Sequence, residues 1–121
     1  RDGAGKIADY ELRDQILAHR MNDKAFALAT RRSAEESAMG VIMGAASSMF
    51  KYYGTEQNKG KYEIMLSLMG TQSLGWEGEQ FDTDELTTTR AWLRSKANSI
   101  EGGTSEVQLN ILAKRLLGLP D

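Results

Sequence analysis

The sequence predicts an all-α fold, an antiparallel bundle of about four helices, and three observations carry that expectation. Only one proline occurs, at position 120, so nothing upstream removes a helical N–H donor. The chain is rich in Ala, Leu, Met and Glu, which favour helix, and poor in the alternating β-branched runs that mark strands. The 12 glycines gather near 3–5, 40–44, 70–78, 102–103 and 118, with only Gly54 and Gly60 elsewhere. Those clusters divide the chain into four helical segments.

The first helix is expected over about residues 9–39. Leu12, Ile16, Leu17, Met21, Phe26 and Leu28 supply a broad apolar stripe, while Arg13, Asp14, Arg20, Asp23, Lys24, Arg31 and Arg32 are polar. The second is expected over about 46–69, with Met49, Phe50, Tyr53, Ile64, Met65 and Leu68 facing inward. Its centre, 55–61, is polar, and Gly54 and Gly60 within a helix each cost ~1 kcal/mol relative to Ala. Close helix–helix packing or a break near Gly60 would each account for them. A Gly-rich loop follows over 70–82. Asp82 or Asp84 can cap a third helix that ends near Ala97 and carries Leu86, Trp92 and Leu93. The fourth opens on a capping-box pattern, Ser105-Glu106-Val107-Gln108. It closes with Lys114 and Arg115, then Gly118 and Pro120.

At 121 residues the chain is expected to be one domain with a single core of modest size, the six Met serving as core filler. A net charge of -2 gives no basic footprint for nucleic acid. The absence of Cys excludes disulfides and thiol chemistry and is what a cytoplasmic enzyme would show. No apolar run approaches the roughly 20 residues that span a bilayer, so no membrane segment is expected. The chain begins at Arg1 without Met, which reads as a piece of a longer protein. His19 reads as a surface or interface residue, Glu35, Glu36, Glu77 and Glu79 as solvated charges, and no spacing supports a metal site.

The most informative stretch is Asn98-Ser99-Ile100-Glu101-Gly102-Gly103-Thr104-Ser105-Glu106-Val107-Gln108, followed by the run from Asn110 to Pro120. A Gly-Gly pair lets backbone approach a ligand closely and allows positive φ. Thr104 and Ser105 then open a helix, whose first N–H groups suit phosphate. An ordinary helix start after a Gly turn is the plainer reading of the same residues. Ser48-Met49-Phe50-Lys51, Leu66-Ser67-Leu68-Met69-Gly70-Thr71 and Arg1-Asp2-Gly3-Ala4-Gly5-Lys6 are the other distinctive runs.

Together these runs resemble the C-terminal domain of the FAD-dependent acyl-CoA dehydrogenases over the whole chain, and that family's spacing keeps the second helix unbroken. The resemblance implies a helical bundle that packs on N-terminal helical and middle β domains absent from these residues. It implies a homo- or hetero-oligomer that desaturates acyl-CoA thioesters between the α and β carbons, with FAD taking the hydride. An electron-transferring flavoprotein is the kind of partner it implies for reoxidation. Arg1 corresponds to a residue that contacts the flavin pyrophosphate across the dimer, although Ala4 stands where an aromatic is usual. A solvated terminal Arg is the alternative. Gly70 corresponds to the loop that touches the flavin nucleotide, with Ser67 where Gln is usual and Thr71 where a second Gly is usual. Thr104 and Glu106 correspond to contacts with the adenosine portion, and a plain N-cap and a first-turn acid are their alternatives. The catalytic base is unknown. In many members a Glu precedes the final Gly-Thr, and that alignment falls on Gly102, one residue after Glu101. The base therefore lies on an upstream helix, or is Glu101, or is lacking because the subunit is non-catalytic. A cofactor-free helical interaction module is the reading outside the enzyme class.

Overall fold

A computed structural model describes residues 3, 5–41 and 44–120 of the chain. Its elements are α1 (Tyr10–Ala38), α2 (Ala46–Met69), α3 (Thr83–Lys96) and α4 (Ser105–Ile111), with no strand among the described residues. Short 3-10 turns follow α2 (Gly70–Leu74) and α3 (Ala97–Ser99), and a π turn (Leu112–Leu116) follows α4.

Local chemistry sets each boundary. The Asp9 carboxylate accepts from the Leu12 N–H at 3.0 Å and caps α1. Asp82 caps α3 in a reciprocal box, the Glu85 carboxylate accepting from the Asp82 N–H at 2.9 Å. The expected box at Ser105–Gln108 does not form. Thr104 is the N-cap, its hydroxyl accepting from the Val107 N–H at 3.3 Å. That start, one residue early, moves Gln108 past the position from which it could reach the cap. The α-helical geometry also stops at Ile111, so Lys114 and Arg115 fall in the π turn.

The central element is α2, against which α1, α3 and α4 all pack. It runs unbroken through Gly54 and Gly60. Phe26 of α1 sits over Phe50 and Tyr53 of α2, with ring centroids 5.9 and 5.5 Å apart. Gly54 makes that approach, since a Cβ there would lie 3.0 Å from the Phe26 ring. No such contact surrounds Gly60. The polar centre of α2 is half-buried against its own chain: Asn58 donates to Asn98 at 2.9 Å. One turn on, Glu63 accepts from the Trp92 indole at 2.9 Å and pairs with Lys96, tying α2 to α3.

The expected core is not closed. No described apolar residue is buried; the buried side chains are Ser33, Ser48, Thr89, Ser95 and Gln108. Small polar groups occupy the tightest helix contacts because they fit there and find backbone acceptors: the Ser95 hydroxyl donates to Trp92 O at 2.6 Å. Residues assigned inward stand exposed instead, Met21 at 72% and Leu17, Leu28, Met49 and Leu68 at about half. One layer of helices on α2 cannot surround side chains of that size. Met21, Met39 and Met49 are correspondingly not filler, Met39 being 77% exposed.

Two substitutions separate the glycines of α2. Gly54→Leu is expected to push α1 off α2 and lower stability by about 1–3 kcal/mol. Gly60→Ala is expected to raise it by about 0.5–1 kcal/mol. Thermal unfolding of the intact protein checks both, and equal effects would contradict the packing. Glu63 supplies a pH test. The Lys96 ammonium, then the Trp92 indole, hold its carboxyl below the ordinary value of 4.5. A depressed folded-state pKa contributes stability above the unfolded value, lost as pH falls through the folded one. Glu63→Gln is therefore expected to lower stability at neutral pH by less than about 1 kcal/mol for so exposed a pair, read as a lower melting temperature. The gap to wild type should close below pH 4 or so; a pH-independent gap would refute the assignment.

Candidate functional site

The site is the loop between α3 and α4, resting on the N-terminal half of α2. The Ile100 and Glu101 N–H groups both bond Ala97 O at 2.9 Å, closing the end of α3. The chain then turns through Gly102 (φ 67) and Gly103 (φ 95), in the left-handed region that side chains resist. Both glycine carbonyls are held from the protein side. Gly102 O accepts from the Gln108 amide at 3.0 Å, and Gly103 O accepts from the Lys51 ammonium at 2.5 Å. A planar trans peptide points its N–H opposite its carbonyl. The Gly103 and Thr104 N–H groups are thus turned away from Gln108 and Lys51, and neither has an acceptor among the described residues.

Beside the loop lies an open groove of about 370 Å³ lined by Tyr52, Lys59, Ser99, Thr104, Ser105 and Glu106, among others. Lys59 pairs with Glu56 across one helical turn at 2.8 Å. The Ser105 hydroxyl oxygen is buried there without a partner among the described residues. Glu106 is exposed, and its carboxyl is held below the usual range by its own backbone N–H and then the Thr104 hydroxyl, with Lys51 and Lys59 adding positive charge. Thr104 and Glu106 therefore meet in one groove as a polar pair. The set offers hydroxyls, two free N–H donors, an ammonium and carboxylate acceptors, the groups a phosphate or ribose would use.

Glu101 is directed elsewhere. Its carboxylate takes both Arg94 guanidinium nitrogens, at 2.9 and 3.4 Å, and the Asn98 amide at 2.6 Å. The Arg94 bonds first, then Asn98, lower its pKa. A carboxylate so stabilised is a weaker base and is committed to α3. Gly70 ends α2 with φ 58, eleven residues beyond Lys59 and about 16 Å along the axis at 1.5 Å per residue. The described residues do not bring it to the groove, and Arg1 lies outside them. Ser67 bonds back to Glu63 O at 2.9 Å on its own helix. No described group of three or more His, Cys, Asp or Glu could hold a metal ion. No described helix is long and apolar enough to cross a membrane.

Sequence reasoning missed the part played by four residues. Tyr52 and Lys59 carry no motif, and Gln108 had been assigned to a cap. Lys51 stood out only as the end of Ser-x-x-Lys, a spacing that gives no sign of a contact 52 residues away.

The geometry defines an all-α domain with a glycine loop and an open polar groove beside it. The comparison with family models is specific: the model for the acyl-CoA dehydrogenase C-terminal domain matches residues 1–117, and the chain belongs to that family. It is also similar to acyl-CoA dehydrogenase IpdE1 of Mycolicibacterium smegmatis, 30% identical over 107 residues, which are 88% of this chain and 26% of that protein. The chain thus spans about a quarter of the length of that curated relative. No solved structure matches it.

The loop geometry penalises a side chain at Gly103. A Cβ on Gly103 would meet the Gln108 amide nitrogen at 2.7 Å, on a backbone of positive φ. Gly103→Ala is expected to cost about 1–3 kcal/mol, read as a lower melting temperature of the intact protein. A cost no larger than that of an exposed helical Ala substitution would show that the loop does not hold this shape.

Proposed function

We propose that this chain is the C-terminal helical domain, residues 1–121, of a flavoprotein that oxidises acyl-CoA thioesters between the α and β carbons. The N-terminal helical and middle β domains of such an enzyme would stand upstream. The observation that carries the reading is the loop at 102–104, its carbonyls held and its N–H groups free beside a polar groove, in a member of this family.

The groove fits the polar portion of FAD. The orphaned Ser105 hydroxyl, the free Gly103 and Thr104 N–H groups and Lys59 suit phosphate oxygens, and Glu106 suits a ribose hydroxyl. Gly70, away from this groove, and Arg1, outside the described residues, are assigned to the same cofactor from the family pattern. An open groove of about 370 Å³ fits one portion of the dinucleotide, so ring system and thioester need walls from outside this chain. The flavin, when bound, supplies the hydride-accepting chemistry. What this chain contributes is binding and orientation: the held loop offers fixed donors, and the Lys59–Glu56 pair keeps a cation at the groove. The uncovered apolar side chains of α1 support assembly with other domains or subunits. Electron-transferring flavoprotein as the acceptor rests on the family alone.

The engagement of Glu101 by Arg94 and Asn98 supports a base for the α proton outside this chain. The same observation favours a second reading, a subunit of a hetero-oligomer whose partner supplies the base. The purified full-length protein is expected to carry flavin absorbance that an acyl-CoA bleaches anaerobically, whereas the 121-residue chain alone binds no FAD. Flavin that is bound but never bleached would select the non-catalytic subunit, and absence of flavin would refute the proposal. In the active protein Glu101→Gln is expected to change turnover by less than about tenfold, against the 10²–10⁴-fold or so lost with a general base. A larger loss with FAD still bound would make Glu101 the base.

A further inference from the structure

We propose that Lys51 is a positioning residue for the cofactor loop: its ammonium, anchored on α2, fixes the Gly103–Thr104 peptide so that the Thr104 N–H, not the Gly103 carbonyl, faces the ligand. The inference rests on the flavin reading above.

Two adjacent glycines in the left-handed region give the loop more conformational freedom than any other dipeptide. Three neighbouring groups are fixed by other means. The Gln108 amide holds Gly102 O, Ala97 O holds the Glu101 N–H, and the Thr104 hydroxyl caps α4. None of these bonds the peptide between Gly103 and Thr104. Its orientation is set by Lys51 alone among the described residues. Rotation of that peptide would exchange an N–H for a carbonyl on the ligand side and turn an attraction for phosphate oxygen into a repulsion. The Lys51 side chain is half-buried, so its ammonium has given up part of its hydration, and the Gly103 carbonyl replaces it. Its position, sixth in α2 and within the half that Phe26 packs against through Phe50 and Tyr53, makes it a rigid anchor for a mobile backbone unit. The charge also reaches both carboxylates that flank the loop, Glu101 and Glu106.

The test compares Lys51→Met, of similar length but without a donor, and Lys51→Arg, which keeps a charged donor, in the full-length protein. A charge-assisted hydrogen bond governing the loop predicts an FAD dissociation constant raised about tenfold or more by Met and within about threefold of wild type for Arg. Residue 51 as mere packing gives the opposite order, because Met fills the site without a charge to desolvate; that order overturns the proposal. A crystal structure of FAD-free Lys51→Met is the second arm, expected to show the Gly103–Thr104 peptide turned. An unchanged peptide in that structure also overturns the proposal, and does so even if wild type binds no FAD, an outcome that would sink the flavin reading separately. Should Lys51→Met fail to fold, Lys51→Arg decides: near-native FAD affinity supports the role, and a loss beyond about tenfold in a folded protein refutes it.

Discussion

The hydrogen bond from Lys51 to Gly103 O spans 52 positions and ties the central helix to the loop that carries the site. Asn58 of α2 makes a second long-range bond, to Asn98 across 40 positions, and the remaining side-chain contacts of the loop are local. The Thr104 cap, the Gln108 bond to Gly102 O and the Arg94–Glu101–Asn98 cluster join residues no more than seven apart. These contacts shape the loop but cannot say where it sits on the bundle. Lys51 and the packing of α4 on α2 do that, and the groove between Tyr52, Lys59 and Glu106 exists because of the resulting alignment.

A second constraint is the incomplete core. With α2 covered by α1, α3 and α4 in one layer, the large apolar side chains meet neighbours on one side only. Phe26, Phe50 and Tyr53 pack ring against ring and are still half-exposed. Leu74 in the turn after α2 is 81% exposed and the neighbouring Trp76 about half. Arg90 donates to Trp76 O at 2.9 Å and lies over its ring, 5.3 Å from the centroid, so the indole is held in place while about half of the residue stays exposed. Surfaces of this kind are what a domain would present if its stability and its site were both completed by other parts of a larger assembly, as the proposed function requires.

Much of the fold was legible in the sequence. Helical periodicity and glycine punctuation located α1 and α2 to within a residue or so, and Asp82 was one of two caps offered for α3. The misses have physical reasons. Amphipathic stripes mark which residues leave water in the finished protein, so they labelled Met21, Met49 and Leu68 as inward although the described residues cover them only in part. The Ser105 pattern matched a capping box, yet Thr104 is also a good cap and won by a single position, which redirected Gln108 to the loop. At the site, Thr104 and Glu106 were legible because they are near in sequence. Lys59, Tyr52 and the bond made by Lys51 were not, because tertiary packing alone brings them to the loop.

The central claim is that the Gly103 and Thr104 N–H groups, held outward by the loop, receive the cofactor. Residue-resolved amide hydrogen exchange on the full-length protein, with and without FAD, tests it most directly. The account predicts that both amides, unpaired among the described residues, become protected by about tenfold or more when FAD binds, as donors do on gaining a stable acceptor. Protection confined to other segments, with exchange at Gly103 and Thr104 unchanged, would contradict it.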